Sequence, residues 1–131
     1  MKIAIYGNEI NERSKSTLLT LTNYLSKKKA VISIEANFYN SAKKNLTPKL
    51  DSEEFKSFDS LDPSFDLLIS IGGDGTILRA ITGVKDLGIP IVGINTGRLG
   101  FLSTIKTSAI EEALDQIFEG NYRISKRSVL N

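Results

Sequence analysis

The stretch Asp66-Leu67-Leu68-Ile69-Ser70-Ile71-Gly72-Gly73-Asp74-Gly75-Thr76 decides the fold. From Leu67 to Ile71 all residues but Ser70 are apolar, without alternation, as in a strand covered on both faces. Gly72, Gly73 and Gly75 then surround Asp74, and a helical pattern follows through Ile77, Leu78, Ala80, Ile81 and Val84. A glycine turn between a buried strand and a helix is a device for holding phosphate. Glycine lets the backbone approach the anion, and the unpaired N–H groups of the first helical turn point at it. Asp74 is the odd member, because a carboxylate repels phosphate. It is better placed to hold a hydroxyl or a metal beside the phosphate, which points to phosphoryl transfer rather than simple binding. The competing explanation makes Asp74 a helix cap among glycines that form a tight turn. Against it, each glycine ordered in place of alanine costs roughly 0.5–1 kcal/mol, and three together imply that something comes close to the backbone.

Outward from this turn, strands and helices alternate. Ile3–Tyr6 is a short apolar strand ending at Gly7-Asn8, and a helix is predicted over Ser14–Lys28 with Leu18, Leu21 and Leu25 on one face. Val31–Ala36 is predicted as a strand. The polar stretch Asn40–Ser64 holds Pro48 and Pro63 and reads as a variable excursion with room for one short helix. After the glycine helix, Pro90 opens a second buried strand, Ile91–Ile94. A last helix begins at an expected capping box, Ser108 with Glu111, and carries Ile110, Ala113, Leu114, Ile117 and Phe118 as an apolar stripe, with Gly120 as its stop. Tyr122–Leu130 alternates partially and reads as a strand. The repeated strand–helix order predicts an α/β fold: a three-layer, mostly parallel, Rossmann-like sheet with helices on both faces. Ligands in such sheets bind beyond the carboxyl ends of the strands, where the loops at Gly7-Asn8, Gly72–Thr76 and Asn95–Phe101 would converge.

Two better-known glycine motifs do not fit. No Gly-Lys pair occurs, which removes the G-x-x-x-x-G-K-[ST] loop, and Leu78 stands where a dinucleotide fingerprint needs glycine or alanine. Arg79, five residues after Asp74, is by itself an ordinary exposed helix arginine; near a phosphate loop it becomes a candidate clamp for anionic oxygens. A second motif, Gly93-Ile94-Asn95-Thr96-Gly97-Arg98-Leu99-Gly100-Phe101-Leu102, frames a polar pair and an aromatic ring with glycines. It reads equally as a turn-rich loop with Leu99 and Phe101 tucked under it, or as a ligand loop with Asn95 on the ligand and Phe101 packing on a flat base.

Composition narrows the chemistry. The 131 residues, 40% hydrophobic and 24% charged, fit one soluble domain of ordinary size. A net charge of +2 argues for neither nucleic acid nor membrane, and Lys27-Lys28-Lys29 reads as a solvated helix end. Cysteine and histidine are both absent, so thiol chemistry, imidazole bases and histidine triads are excluded; any general base is Asp, Glu, Lys or Tyr. The apolar runs are too short to span a membrane and the start lacks a signal-peptide core, so a cytoplasmic protein is expected.

Taken together, Gly72-Gly73-Asp74-Gly75-Thr76 and the Gly93–Leu102 motif closely resemble the NAD kinase family. The five-residue motif alone is shared with diacylglycerol and sphingosine kinases and has a relative in phosphofructokinase; the continuation Ile77-Leu78-Arg79-Ala80 and the second motif resemble NAD kinases specifically. The resemblance implies transfer of the γ-phosphoryl of ATP to the 2′-hydroxyl of the adenosine ribose of NAD. It implies Asp74 as proton acceptor, with Gly72, Gly73, Asp74, Gly75, Thr76 and Arg79 contacting the dinucleotide and Asn95 and Phe101 lining the same pocket. NAD and ATP are the expected small-molecule partners with a divalent cation, Mg²⁺, and no metal ligand is assigned. The full-length protein is expected to be a homo-oligomer that binds neither nucleic acid nor membrane. NAD kinases carry a second, β-rich domain, so residues 1–122 are expected to be the N-terminal domain and 123–131 the start of a truncated second one, leaving this piece inactive alone. A diacylglycerol-type lipid kinase and a non-catalytic nucleotide-binding module are the alternatives.

Overall fold

A computed structural model describes residues 1–7, 11–46, 55–84, 87–96 and 105–119. These form strands β1 (Lys2–Gly7), β2 (Val31–Glu35), β3 (Phe55–Phe58), β4 (Leu67–Gly72), β5 (Ile91–Asn95) and β6 (Ile105–Lys106). Helices α1 (Glu12–Lys27), α2 (Ala36–Leu46), α3 (Asp74–Val84) and α4 (Ile110–Phe118) lie between and after them. All the described strands pair in parallel, in the order β3-β2-β1-β4-β5-β6. This is the doubly wound order, whose direction of winding reverses between β1 and β4.

The alternation of strand side chains builds the layers. Ile3 and Ile5 of β1 and Leu67, Ile69 and Ile71 of β4 pack with buried residues of α1, α2 and α4, whereas Ala4 and Leu68 pack with Ala80 and Val84 of α3. Both faces of β4 are therefore covered, which accounts for its apolar residues without alternation. Leu18, Leu21 and Leu25, each 0% exposed, are the face that α1 lays on the sheet.

Several boundaries differ from the sequence reading, for local reasons. Helix α1 begins at Glu12 because Asn11 caps it: Asn11 Oδ1 accepts from the Arg13 and Ser14 amides at 3.0 Å, and Ser14 Oγ accepts from the Asn11 amide at 2.8 Å. Ala36 belongs to α2 rather than to the preceding strand. The Glu35 carboxylate accepts from the Asn37 and Phe38 amides at 3.0 and 3.1 Å and so starts the helix there. The polar excursion from Asn40 contains the end of α2 and also β3, an edge strand too short for its single alternation to register. The N-cap of α4 is Ala109, with no side-chain bond, rather than the expected Ser108: a 3₁₀ turn, Thr107–Ala109, leads into the helix. Gly120 and the strand expected over Tyr122–Leu130 lie outside the described residues.

Helices α1 and α4 are tied across the outer layer. The Tyr24 hydroxyl donates to Asp115 Oδ1, and Lys28 Nζ lies 3.9 Å from the same oxygen and 5.6 Å from the Tyr24 ring centroid. Burial, the bond to Asp115, and the negative charges of Asp115, Glu111 and Glu119 hold the Tyr24 phenol well above its ordinary pKa.

Candidate functional site

The site is built where the parallel strands end together. Register pairs Gly7 with Ile71 and Gly72 with Asn95, so the ends of β1, β4 and β5 lie side by side, spanning the point where the winding reverses. The Thr96 amide donates to the Gly72 carbonyl at 3.2 Å, joining the two glycine motifs.

The glycines of the turn divide by cause. Gly72 has φ +151°, and a Cβ there would lie 2.4 Å from Thr76 Oγ1; the fold itself demands glycine. Thr76 is buried against it. Among the described residues, a Cβ on Gly73 or Gly75 would meet nothing within 4 Å. No packing inside the described protein calls for glycine at these positions, although Gly75 lies in a helix where it costs roughly 0.5–1 kcal/mol relative to alanine. They keep open the approach to the backbone.

The Gly73 carbonyl accepts from the Thr76 and Ile77 amides at 3.1 and 3.2 Å, so Gly73 occupies the cap position and Asp74 is the first residue of α3. The N-cap residue is therefore Gly73 rather than Asp74. The Asp74 and Gly75 amides belong to the first turn, which lacks carbonyls within the helix to accept from it. The turn presents donors at the positive end of a helix, suited to an anion.

The structure brings Gly72, Gly73, Asp74, Gly75 and Thr76 together with Asn95, which stands beside Gly72 on the neighbouring strand. Arg79, one turn after Gly75, is exposed and opens onto a cleft of about 800 Å³ on the α3 face. Phe101 lies outside the described residues. Sequence reasoning missed the other walls of this cleft, among them Tyr6, Glu35, Asn37 and Phe58. An acid closing the second strand was the available signal for Glu35. It also missed Arg13, whose Nη1 donates to the Thr96 carbonyl at 3.2 Å across 83 positions of sequence, a contact that no local pattern announces. Ser70 is fully buried on the α3 side of β4, between Tyr6 and Gly93 in register, and its hydroxyl has no hydrogen-bond partner among the described residues.

Residues 3–122 match the family described as the ATP-NAD kinase N-terminal domain. The chain belongs to that family. It is 43% identical over 130 residues to the NAD kinase of Christiangramia forsetii, an alignment covering 99% of this chain and 44% of that protein. It is 41% identical over 131 residues to the NAD kinase of Flavobacterium psychrophilum, covering 100% of this chain and 45% of the relative. The chain thus spans less than half the length of these relatives. Its fold is similar to that of yeast NADH kinase, solved in complex with NADH, with a TM-score of 0.73 over 92% of this chain and 38% of that one, at 16% identity. This likeness shows the α/β fold of the NAD kinase N-terminal domain.

Among the described residues no three acidic side chains gather to hold a metal. Nor is any described helix long and apolar enough to cross a membrane.

Proposed function

We propose that this chain is the nucleotide-binding domain of an NAD kinase, which moves the γ-phosphoryl of ATP to the 2′-hydroxyl of the adenosine ribose of NAD and yields NADP and ADP. Beyond family membership, the observation that carries this is that no described residue crowds Gly73 or Gly75 at the head of α3, next to Gly72, which pairs with Asn95. In the step, the 2′-oxygen forms a bond to the γ-phosphorus, the bond from that phosphorus to the β,γ-bridging oxygen breaks, and the hydroxyl proton passes to the Asp74 carboxylate. Such transfer depends on positioning and charge stabilisation, with a carboxylate orienting the attacking oxygen. The amides of the first turn of α3 and the guanidinium of Arg79 meet the anionic oxygens, while Asn95 and Phe101 line the acceptor side. A Mg²⁺ ion would be held chiefly by the nucleotide phosphates and would neutralise their charge.

Residues 1–122 are the N-terminal domain in this proposal and 123–131 open a β-rich second domain that completes the NAD pocket. The full-length enzyme is then a cytoplasmic homo-oligomer. The test is NADP formation from NAD, ATP and Mg²⁺ by the full-length protein, against Asp74→Asn. Loss of a general base lowers turnover by ~10²–10⁴. Unchanged NADP formation would refute the role of Asp74, and no NADP from the intact protein would refute the kinase. The 131-residue chain by itself is expected to give none.

A further inference from the structure

Strand β5 ends at Asn95, which pairs with Gly72 on one side and Lys106 on the other. Thr96 lies one residue beyond the strand, and both of its backbone polar groups are taken by other elements. Its amide donates to the Gly72 carbonyl, and its carbonyl accepts from Arg13 Nη1, each at 3.2 Å. The first bond sets Thr96 against the glycine turn, and the second fixes the direction of its carbonyl. We propose that Arg13 is a positioning residue, which holds the Asn95–Thr96 segment in place for the phosphoryl acceptor from the first turn of α1. This rests on the kinase proposal above, in which Asn95 lines the acceptor side, and it adds a residue that neither glycine motif contains.

Arg13 is itself held. Asn11 caps α1, and its Oδ1 accepts from the Arg13 amide at 3.0 Å, so the guanidinium extends from a fixed point of backbone. Helix energetics give no reason for an arginine there. The first turn is the positive end of the helix dipole, which favours the acid Glu12 and disfavours the cation that follows it. No carboxylate pairs with Arg13 among the described residues, and the residue is exposed rather than packed in the core. What remains is the bond to Thr96, across 83 positions of sequence. Such a bond is charge-assisted and competes with water better than one from a neutral donor.

The effect falls on holding the acceptor rather than on the chemical step. The glycine turn has supports of its own: β4 is registered on β1 as far as Gly7 and Ile71, and the Gly73 carbonyl starts α3. Asp74 therefore keeps its place without Arg13. The end of β5 is less well supported, because the strand on its outer side, β6, is two residues long and its pairing stops at Asn95. A tether from α1 supplies what that short edge does not.

The test uses the full-length enzyme and Arg13→Met, which keeps the length of the side chain and removes its donors. We expect a melting temperature within about 2 °C of the wild type, because the position is exposed and the helix loses an unfavourable charge. The KM for NAD should rise ~5–10-fold, with kcat and the KM for ATP changed less than ~2-fold. Without nucleotide, amide hydrogen exchange in the peptide spanning Ile94–Thr96 should quicken while that of α1 stays the same. Arg13→Lys, whose ammonium can donate to the same carbonyl, should recover most of the KM for NAD. An unmoved KM for NAD in Arg13→Met would overturn the proposal, as would an equal rise in the KM for ATP. A raised KM for NAD with unaltered exchange would also overturn it, by making Arg13 a direct contact of the nucleotide. If the intact protein makes no NADP, the kinase proposal fails by itself. Exchange at Ile94–Thr96 then decides the tether alone: quickened exchange in Arg13→Met upholds it, and unaltered exchange refutes it.

Discussion

Thr96 donates its amide hydrogen to the carbonyl of Gly72 at 3.2 Å, one step beyond the last paired residues of β5 and β4. This bond fastens the second glycine motif to the first, and what approaches one meets the other. Arg13 extends the link to a third element, since its guanidinium donates to the Thr96 carbonyl from the first turn of α1.

The glycines of the turn should separate stability from binding. In Gly72→Ala, a positive φ of +151° and a 2.4 Å approach to Thr76 Oγ1 act together, and a loss of about 2–3 kcal/mol is expected in urea unfolding. Gly75→Ala meets open space in a helix and should unfold within about 0.5 kcal/mol of the wild type or above it, while binding nucleotide ~10-fold more weakly. Equal destabilisation by the two substitutions would show that the division is wrong.

At the end of β1, Gly7 is required by a neighbour rather than by its own backbone. A Cβ there would lie 2.4 Å from Cε1 and Cζ of Phe38, a ring that is 1% exposed and has nowhere to move. Gly7→Ala should cost about 1–3 kcal/mol. Combining it with Phe38→Leu should recover part of that loss, so the double-mutant cycle reports coupling; strict additivity would count against the contact.

Ser70 offers a substitution that should stabilise. Its hydroxyl is fully buried and unpartnered among the described residues, and leaving a buried polar group unpaired costs about 1–3 kcal/mol. Ser70→Ala should raise the melting temperature, with a gain of about 1 kcal/mol. A lower melting temperature would mean that the hydroxyl is bonded in solution.

The clasp between α1 and α4 makes stability depend on alkaline pH. Tyr24 keeps its proton in the folded chain to higher pH than in the unfolded one, because burial and the Asp115 carboxylate oppose its ionisation. The contribution is whole below the unfolded phenol value of about 10 and is lost as pH rises past it, at up to about 1.4 kcal/mol per pH unit. The difference in unfolding free energy between the wild type and Tyr24→Phe should therefore be flat up to about pH 10 and fall beyond it. A difference that stays flat at higher pH would show that Tyr24 titrates alike in both states.

The legible parts of this fold were those written in local pattern. The run Leu67–Ile71, apolar but for Ser70 and without alternation, announced a strand with two covered faces, and the spacing of Leu18, Leu21 and Leu25 announced the buried side of α1. Strand β3 was hidden because Phe55-Lys56-Ser57-Phe58 shows one period of alternation in a polar stretch, and what makes it a strand is its pairing with β2. The start of α2 was hidden for a similar reason, since the cap is a glutamate that also reads as the end of a strand.

From sequence alone came the parallel α/β class, the glycine turn with its acid, the absence of any histidine or cysteine base, and the resemblance that the NAD kinase N-terminal domain match upheld. Each of these depends on residue type or on spacing within a few turns of chain. Tertiary structure decided the strand order, the separate reasons for Gly72 and Gly75, and the juxtaposition of Arg13 with Thr96. It also decided the cleft, in which Glu35 and Asp59 face Arg79 across the end of β1. Those relationships join positions tens of residues apart, and only packing against a common sheet brings them within reach of one ligand.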